Sequence, residues 1–354
     1  MRESPRDLRR DAPPVNPAGP APGMLLLLRE GAIRTLFDPR AGLAAIEAAF
    51  AAYSTGKADL PSVIQLNVPE EAAEIHIKAG HLYDAPFWAV KVAGSFPNNA
   101  ERGLAVSGGL VMAFDARTGA PAALLLDNGY ITDLRTGLAG AVAARHLSRQ
   151  DAAVAAVLGT GSQARHQMRC LALVRTLREI RVWGRHEDRA RTLAGRMATE
   201  ESMRGIAVRP AASVEEAVRG AAIVVTTTSS REPILRSQWI APGTHITAVG
   251  SDQPDKQEVE AALVARADLL VADSRPQCLR LGEIHHAVAA GAITPEDIDA
   301  ELGEIVAGTK PGRPSDDAVT LCDLTGLGVQ DVASANFILE RARTKGAPGE
   351  TVPL

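Results

Sequence analysis

Hydrophobic and polar residues follow two different patterns along this chain, and the change falls near residue 133. Residues 38–55 predict an amphipathic helix, because Leu43, Ile46 and Phe50 share one helical face and Asp38 can cap its start. Short strand-like runs separated by turn residues follow, and they predict an antiparallel, strand-rich unit. These runs cover residues 63–68, 74–78, 88–92, 109–115 and 122–126.

From Asp133 onward, strand-like and helical segments alternate, which predicts a parallel sheet with helices on both faces. Residues 223–226 are all apolar or β-branched, as expected of a strand that is buried on both faces. We predict strands at 153–158, 179–183, 222–227, 244–249, 269–272 and 318–322. We predict helices at 133–147, 163–176, 186–201, 213–219, 256–265 and 329–343.

These patterns indicate an α/β protein of two domains, a number that the length of 354 residues also favours. A Rossmann domain, with a doubly wound parallel sheet, is expected over residues 133–328. A smaller strand-rich α+β domain is expected over residues 24–132 and 329–354, because the last helix could return to the first part of the chain. Residues 1–23 are rich in Pro and Arg and predict a disordered tail.

Composition narrows the class of partner. The net charge of −4 argues against nucleic acid as a ligand, and no apolar run is long enough to cross a membrane. Cys170, Cys278 and Cys322 lie far apart and fit no metal-ligand spacing. They indicate buried thiols in a reducing cytoplasm, so we expect a cytoplasmic protein that acts on a small molecule.

The clearest motif is the dinucleotide-binding turn Gly-Thr-Gly-Ser-Gln-Ala, which joins a predicted buried strand to a predicted helix. Gly159 permits the tight turn, Gly161 lets the backbone approach a pyrophosphate, and Ala164 lets the helix pack on the strand. The start of the helix, with Thr160, Ser162 and Gln163, offers free N–H groups to phosphates. We expect these six residues to bind a nicotinamide coenzyme.

The tip of the second predicted strand bears on the choice between NAD(H) and NADP(H). An acidic residue there would bind the ribose hydroxyls of NAD, but the strand ends in Gly184, Arg185 and His186. Arg185 could pair with a 2′-phosphate, which favours NADP(H) slightly. Arg185 could instead stack on the adenine or be solvated, and the nearby Glu187 leaves NAD(H) open.

In an open parallel sheet, ligands bind beyond the carboxyl ends of the strands. Thr228 and Ser251 stand at two such ends and are candidate coenzyme-binding residues. Asp252 follows Ser251 and is a candidate for proton transfer, although Ser-Asp-x-Pro can also be a simple turn.

Lysine is scarce in this chain, yet Lys78 and Lys91 lie in predicted strands with apolar neighbours. A buried ammonium needs a partner, and a substrate carboxylate could supply it. The alternative for Lys91 is an exposed edge position. Arg135 falls near the predicted start of a helix, where a cation opposes the helix dipole, which suggests an anionic ligand. The alternative for Arg135 is an ion pair with Asp133 or Asp127.

Taken together, these motifs resemble the ornithine cyclodeaminase/μ-crystallin family from about Asp38 to Asp331. The resemblance implies a homodimer, a substrate and dimerisation domain, a Rossmann domain and a nicotinamide coenzyme. It implies that Lys91, Arg135 and Thr136 bind substrate and that Asp252 is the catalytic acid/base. The segments that carry it are residues 90–92, 132–137 (Thr-Asp-Leu-Arg-Thr-Gly), 159–164, 249–252 and 325–331 (Thr-Gly-Leu-Gly-Val-Gln-Asp).

Within the family, the chain is most similar to the cyclodeaminase-like proteins of ectoine-degradation operons, through residues 76–80, 250–258 and 278–286. Many members have an arginine after a proline at the first strand, where it helps to hold the substrate carboxylate. Here Ser62 follows Pro61, so ornithine cyclisation is in doubt and Lys78 is a candidate replacement.

The sequence therefore predicts an NAD(P)(H)-dependent oxidoreductase for a small α-amino or α-imino acid, most simply an imine reductase or amino-acid dehydrogenase. Lys91 and Asp252 are its candidate catalytic residues, with Lys91 and Arg135 gripping the carboxylate. Two alternatives stay open: a true ornithine cyclodeaminase with catalytic NAD, and a non-enzymatic NADP-binding protein. The substrate side chain is not predictable from these motifs.

Overall fold

The computed structural model describes residues 23–346 and 349–354, so the predicted tail, except Gly23, lies outside the described residues. Two eight-stranded sheets organise the described chain. The first has the order β16-β1-β7-β6-β5-β4-β2, with β3 also paired to β4. Its strands are β1 (Met24–Arg29), β2 (Ala58–Asp59), β3 (Ile64–Val68), β4 (Ala73–Leu82), β5 (Phe87–Ser95), β6 (Ser107–Asp115), β7 (Pro121–Leu126) and β16 (Glu350–Pro353).

Four helices are associated with the first sheet: three lie next to its strands along the chain, and the fourth packs on it from the C-terminal part of the chain. They are α1 (Glu30–Leu36), α2 (Pro39–Ser54), α3 (Tyr130–Leu147) and α11 (Gly328–Lys345). The predicted helix α2 is confirmed, and the Asp38 side chain caps it by accepting from the Arg40 backbone N–H at 3.1 Å. Helix α11 returns from the second sheet and packs on β4 and β5.

The second sheet is entirely parallel, with the order β10-β9-β8-β11-β12-β15-β13-β14. Its strands are β8 (Val154–Leu158), β9 (Glu179–Trp183), β10 (Ala207–Pro210), β11 (Ile223–Thr226), β12 (His245–Ala248), β13 (Leu269–Ala272), β14 (Ala300–Glu301) and β15 (Thr320–Asp323). The associated helices are α4 (Ser162–Val174), α5 (Glu187–Ala198), α6 (Val214–Val218), α7 (Ala261–Ala265), α8 (Arg275–Cys278), α9 (Gly282–Ala289) and α10 (Leu302–Val306).

Both faces of this parallel sheet are buried, which confirms the predicted doubly wound α/β class. Successive residues of one strand enter different clusters: Ala155 and Val157 join one hydrophobic cluster, and Ala156 and Leu158 join the other. Strands that are covered on both faces can therefore be apolar at every position. Across residues 23–346 and 349–354, no helix has the length and apolarity that a bilayer crossing requires.

The predicted helix 256–265 is too long, because α7 begins only at Ala261. The backbone N–H groups of Glu258 and Val259 donate to the buried Glu283 carboxylate, at 2.9 and 3.0 Å, instead of entering a helix. A long-range partner thus replaces the local hydrogen bonds that a helix would use.

Sequence periodicity missed the strands β1, β2, β10, β14 and β16. Strands β10, β14 and β16 are four residues long or shorter, which is too short for a clear alternation. The prediction of an antiparallel first unit is wrong in one place, because β1 pairs with β7 in parallel.

Candidate active site

The turn after β8 has the geometry that its glycines predict. Gly159 has φ of +135°, and a Cβ at this position would lie 2.2 Å from the Thr227 hydroxyl oxygen. By contrast, a Cβ at Gly161 would meet nothing within 4 Å. Gly159 is therefore required by its backbone conformation and by the close approach of Thr227. Gly161 has no such neighbour and leaves open space beside the start of α4.

A cavity of about 450 Å³ opens over this turn. It contains the predicted residues Gly159, Thr160, Gly161, Arg185 and Thr228. The remaining lining residues are Trp183, Gly184, His186, Arg189, Thr227, Ser229, Ser230 and Ile234. The carboxyl ends of β8, β9 and β11 therefore share one cleft, as expected for a Rossmann sheet.

Three predicted coenzyme-binding side chains are engaged within the protein. Ser162 and Gln163 both donate to the Asp133 carboxylate, and they tie α4 to α3. The Ser251 hydroxyl donates to the backbone carbonyl of Lys256. Ala164 is fully buried, as close packing of α4 on the sheet requires. The Ser162 and Gln163 side chains thus position the helix.

The tip of β9 presents cations to the cleft. Arg185 and Arg189 are exposed, and neither forms an ion pair among the described residues. Glu187, which left the coenzyme type open, forms an ion pair with Arg191 at 2.6 Å. Arg189 was missed in the sequence because it lies one helical turn beyond the strand tip, inside α5.

Lys78 and Lys91 face each other directly in the β4–β5 register. Both are buried, with exposed fractions of 8% and 3%. Strand β5 lies between β4 and β6, so the exposed-edge alternative for Lys91 is wrong. The Lys78 ammonium donates to the Gly326 carbonyl at 2.7 Å.

Asp331, in the first turn of α11, connects the other two cations. Its Oδ1 lies 3.1 Å from the Nε of Arg135, and its Oδ2 lies 3.3 Å from the Nζ of Lys91. Gln330 adds a second acceptor for Arg135, at 2.5 Å. All three charged side chains of this cluster are at most 3% exposed.

The alternative ion pair for Arg135 and the helix-dipole argument are therefore both wrong. The partner of Arg135 is Asp331 rather than Asp133 or Asp127, because Asp133 accepts from α4 and Asp127 accepts from the Ile131 backbone N–H at 2.8 Å. The helix dipole argument also fails, since α3 begins at Tyr130 and Arg135 lies in its second turn.

Burial controls the protonation of these groups. Burial lowers the pKa of Lys91 to about 7, and the nearby Asp331 carboxylate partly offsets this effect. Burial and the charge of Arg135 also lower the pKa of Lys78. Burial alone would raise the pKa of Asp331, but Arg135, Lys91 and Lys78 together hold it below its ordinary value.

Gly326 adjoins this cluster. Its φ is +85°, and a Cβ here would lie 3.2 Å from both the Lys78 ammonium and a terminal nitrogen of Arg135. The two cations therefore approach the same point, next to a residue that has no side chain. Thr136 follows Arg135 in α3, and its carbonyl accepts from the Gln167 side chain at 3.0 Å.

Asp252 lies on the loop after β12 and forms an ion pair with Lys256 at 2.8 Å. Lys256 also lies 3.9 Å from the Glu74 carboxylate of β4, so the loop that carries Asp252 adjoins the strand that carries His76 and Lys78. Burial and the Lys78 charge leave the pKa of His76 below its ordinary value. Asp252 is thus placed on the same side of the molecule as the buried lysines.

Sequence reasoning missed two buried acids that hold this arrangement. Asp331 belongs to a segment that the family resemblance included, but its partners lie about 200 and 240 positions away in the sequence. Glu258 accepts from the backbone N–H groups of Thr228 and Gly250, and so joins the ends of β11 and β12. The sequence feature that could have identified such acids is a carboxylate among apolar neighbours, as at Asp331.

Comparison with known proteins identifies the family. The model of the ornithine cyclodeaminase/mu-crystallin family matches residues 25–346. The chain belongs to this family. It is 44% identical to an uncharacterized cyclodeaminase of Sinorhizobium fredii over 288 residues, which is 81% of this chain and 86% of the relative.

Two solved structures of the family share the whole architecture. The Δ1-pyrroline-2-carboxylate reductase of Thermococcus litoralis, in complex with NADH and L-proline, is 32% identical with a TM-score of 0.87. The alignment covers 93% of this chain and 100% of the reductase. An archaeal alanine dehydrogenase dimer with bound NAD is 34% identical with a TM-score of 0.85, covering 94% and 99% of the two chains.

Proposed function

We propose that this protein is an NAD(P)(H)-dependent oxidoreductase that interconverts a small α-imino acid and the corresponding α-amino acid. The observation that carries the proposal is the group of buried cations, Lys78, Lys91 and Arg135, which Asp331 alone cannot neutralise. Surplus buried positive charge is costly unless an anion completes the site. A substrate carboxylate has the required charge and can accept from both ammonium and guanidinium groups.

The cleft at Gly159 fits a dinucleotide. The open space beside Gly161 lets a pyrophosphate approach the start of α4, where backbone N–H groups have no helical acceptor. When bound, the nicotinamide coenzyme exchanges a hydride with the substrate carbon.

The remaining steps are assigned to side chains of this chain. Arg135 and Lys91 hold the carboxylate, and Lys78 adds a third positive charge from the neighbouring strand. Fixing the carboxylate orients the reacting carbon, and orientation can supply much of the rate. Asp252 is partly exposed on the loop after β12 and forms an ion pair with Lys256. We assign to it the transfer of a proton to or from the substrate nitrogen.

The test is a coenzyme assay at the nicotinamide absorbance band. The purified protein is given NADH or NADPH with cyclic imino acids, or with α-keto acids plus ammonia. Stoichiometric oxidation of coenzyme, with an α-amino acid as product, is the expected result. Coenzyme binding without turnover on the whole panel would instead indicate a binding protein.

True cyclodeamination is the second candidate, because the 44% identical relative is named a cyclodeaminase. Ser62, which stands where many members have a carboxylate-binding arginine, is exposed and uncharged, and this favours the reductase. The two reactions differ in their products. A cyclodeaminase releases ammonia from ornithine without net change in the coenzyme, whereas a reductase consumes it.

We further propose a slight preference for NADP(H). Arg185 and Arg189 both line the cleft at the tip of β9, and Glu187 is held by Arg191. Two exposed guanidinium groups that have no ion-pair partner within residues 23–346 and 349–354 suit a 2′-phosphate. The family structures described above contain NADH and NAD, so competitive binding of NADH and NADPH is the direct test.

A homodimer is the proposed assembly. Strand β3 exposes Ile64 and Leu66, with exposed fractions of 55% and 49%, and the archaeal relative is a dimer. Light scattering of the purified protein, compared with an Ile64→Lys variant, tests whether this strand lies in the interface. The three cysteines are buried free thiols, which supports a reducing compartment such as the cytoplasm.

A further inference from the structure

Asp331 is the only acidic side chain, among the described residues, that forms an ion pair with Lys91 or Arg135. One carboxylate oxygen serves each cation, so the distance between the ammonium and the guanidinium is set by the width of a single carboxylate. The two cations come from different elements, β5 and α3, and the carboxylate comes from a third, α11.

We propose that Asp331 is a positioning residue that fixes Lys91 and Arg135 at the spacing needed to grip one substrate carboxylate. This inference rests on the proposed function, because it assigns those two cations to the substrate. Asp331 itself is 1% exposed, and its two oxygens lie 3.1 Å from the Nε of Arg135 and 3.3 Å from the Nζ of Lys91, so we assign it to the two cations rather than to the substrate.

Repulsion among the buried cations explains why a fixed carboxylate is needed between Lys91 and Arg135. Lys91 and Lys78 repel each other across the β4–β5 pair, and Arg135 adds a third positive charge. Without a fixed anion, like charges in a buried site would move apart or lose protons. Helix α11 packs against both β4 and β5, which brings the Asp331 carboxylate within 3.3 Å of Lys91 and Arg135 and counters this repulsion.

The protonation of Lys91 supplies a readout that a purely structural role would not change. The charged groups that face Lys91 are Asp331 from α11, Arg135 from α3 and Lys78 from β4, with His76 farther along β4. Asp331 is the one group among these that favours the charged ammonium. Its neutralisation should therefore lower the pH at which Lys91 loses its proton.

The central test compares Asp331→Asn with Asp323→Asn. Asp323 is also buried, but burial raises the pKa of its carboxyl well above the ordinary value; its Oδ2 accepts from the Ile284 backbone N–H at 2.9 Å, and it pairs with neither cation, so this variant controls for the loss of a buried aspartate side chain. For Asp331→Asn we expect KM for the imino acid to rise by roughly 100-fold, the scale known for misplaced reactants. The alkaline limb of the kcat/KM profile should move to lower pH, while the Kd for NADH stays within twofold.

A second variant, Asp331→Glu, keeps the charge but displaces it by one methylene. We expect it to raise KM while leaving the alkaline limb near its wild-type position, which separates spacing from charge. This variant also carries the test if Asp331→Asn does not fold, as judged by its melting temperature and NADH binding.

The outcomes distinguish this inference from the proposed function. If the wild-type protein turns over imino acids but Asp331→Asn keeps its KM and its pH profile, the positioning role is wrong. The same conclusion follows if Asp323→Asn shifts the pH profile equally. If the wild-type protein neither turns over imino acids nor binds the unreactive pyrrole-2-carboxylate in calorimetry, the proposed function itself fails, together with this inference.

Discussion

The two groups of cations in this protein have opposite surroundings. Lys78, Lys91 and Arg135 are at most 8% exposed, whereas Arg185 and Arg189 are exposed in the open cleft at the tip of β9. In the buried group, Lys91 and Arg135 pair with Asp331 and Lys78 donates to the Gly326 carbonyl, whereas the exposed pair has no ion-pair partner among the described residues.

This difference shows two ways of presenting positive charge to a small molecule. Buried cations act in a low dielectric, so each contact is strong, but desolvation makes their protonation depend on neighbours. Exposed cations avoid this desolvation, but water and salt weaken each contact. We therefore expect large, pH-dependent effects at the buried group and small, salt-dependent effects at the exposed pair.

The largest effect is expected for Arg135→Ala. Removing the guanidinium deletes the proposed contact to the substrate carboxylate and leaves Lys91 as the one ion-pair partner of Asp331 among the described residues. We expect a cost of about 2–5 kcal/mol in transition-state stabilisation. This corresponds to a loss of roughly 30- to 4,000-fold in kcat/KM, measured by coenzyme absorbance. NADH binding should be unchanged, and full activity in this variant would exclude Arg135 from the substrate site.

The glycines of the turn allow a matched comparison. Gly159→Ala places a Cβ at a φ of +135° and 2.2 Å from the Thr227 hydroxyl, so it should lose about 1–3 kcal/mol of folding stability and also coenzyme affinity. Gly161→Ala has open space, so it should melt normally and weaken coenzyme binding alone, by roughly tenfold. Equal melting temperatures for the two variants would contradict the separate roles.

The pH dependence comes next in size. Because burial lowers the pKa of Lys91 to about 7, the free protein loses this ammonium as the pH rises through that value. The substrate carboxylate then loses one cation, so kcat/KM should fall by up to about tenfold per pH unit above pH 7. A profile that stays flat to pH 9 would show that Lys91 either keeps its proton or does not bind the carboxylate.

The smallest effect is expected for Arg185→Ala. An exposed contact to a 2′-phosphate should contribute about 1 kcal/mol, or roughly fivefold in the Kd for NADPH, and less at high salt. The Kd for NADH should not change. Arg204→Ala is the control, since Arg204 is exposed, pairs with Glu201 and does not line the cleft. If the Kd values for NADPH and NADH rise equally, Arg185 contacts a part common to both coenzymes.

Much of the fold follows from local sequence signals. The capped helix α2, the strands β4 to β9 and the turn at Gly159 depend on neighbours within a few residues. Periodicity also identified Lys91 as a charge in an apolar strand, and burial confirmed it. Short strands such as β14, and the irregular segment at Glu258, depended on partners that local patterns do not contain.

The sequence alone determined the parallel sheet, the dinucleotide turn and the presence of lysines in apolar strands, because each depends on residue type and spacing along one segment. Only the tertiary structure decided which anion serves those cations. Asp331 lies 196 positions from Arg135, and the return of α11 onto β4 and β5 brings the two together. Ion pairs act through space over a few ångströms, so their partners are set by packing rather than by sequence separation.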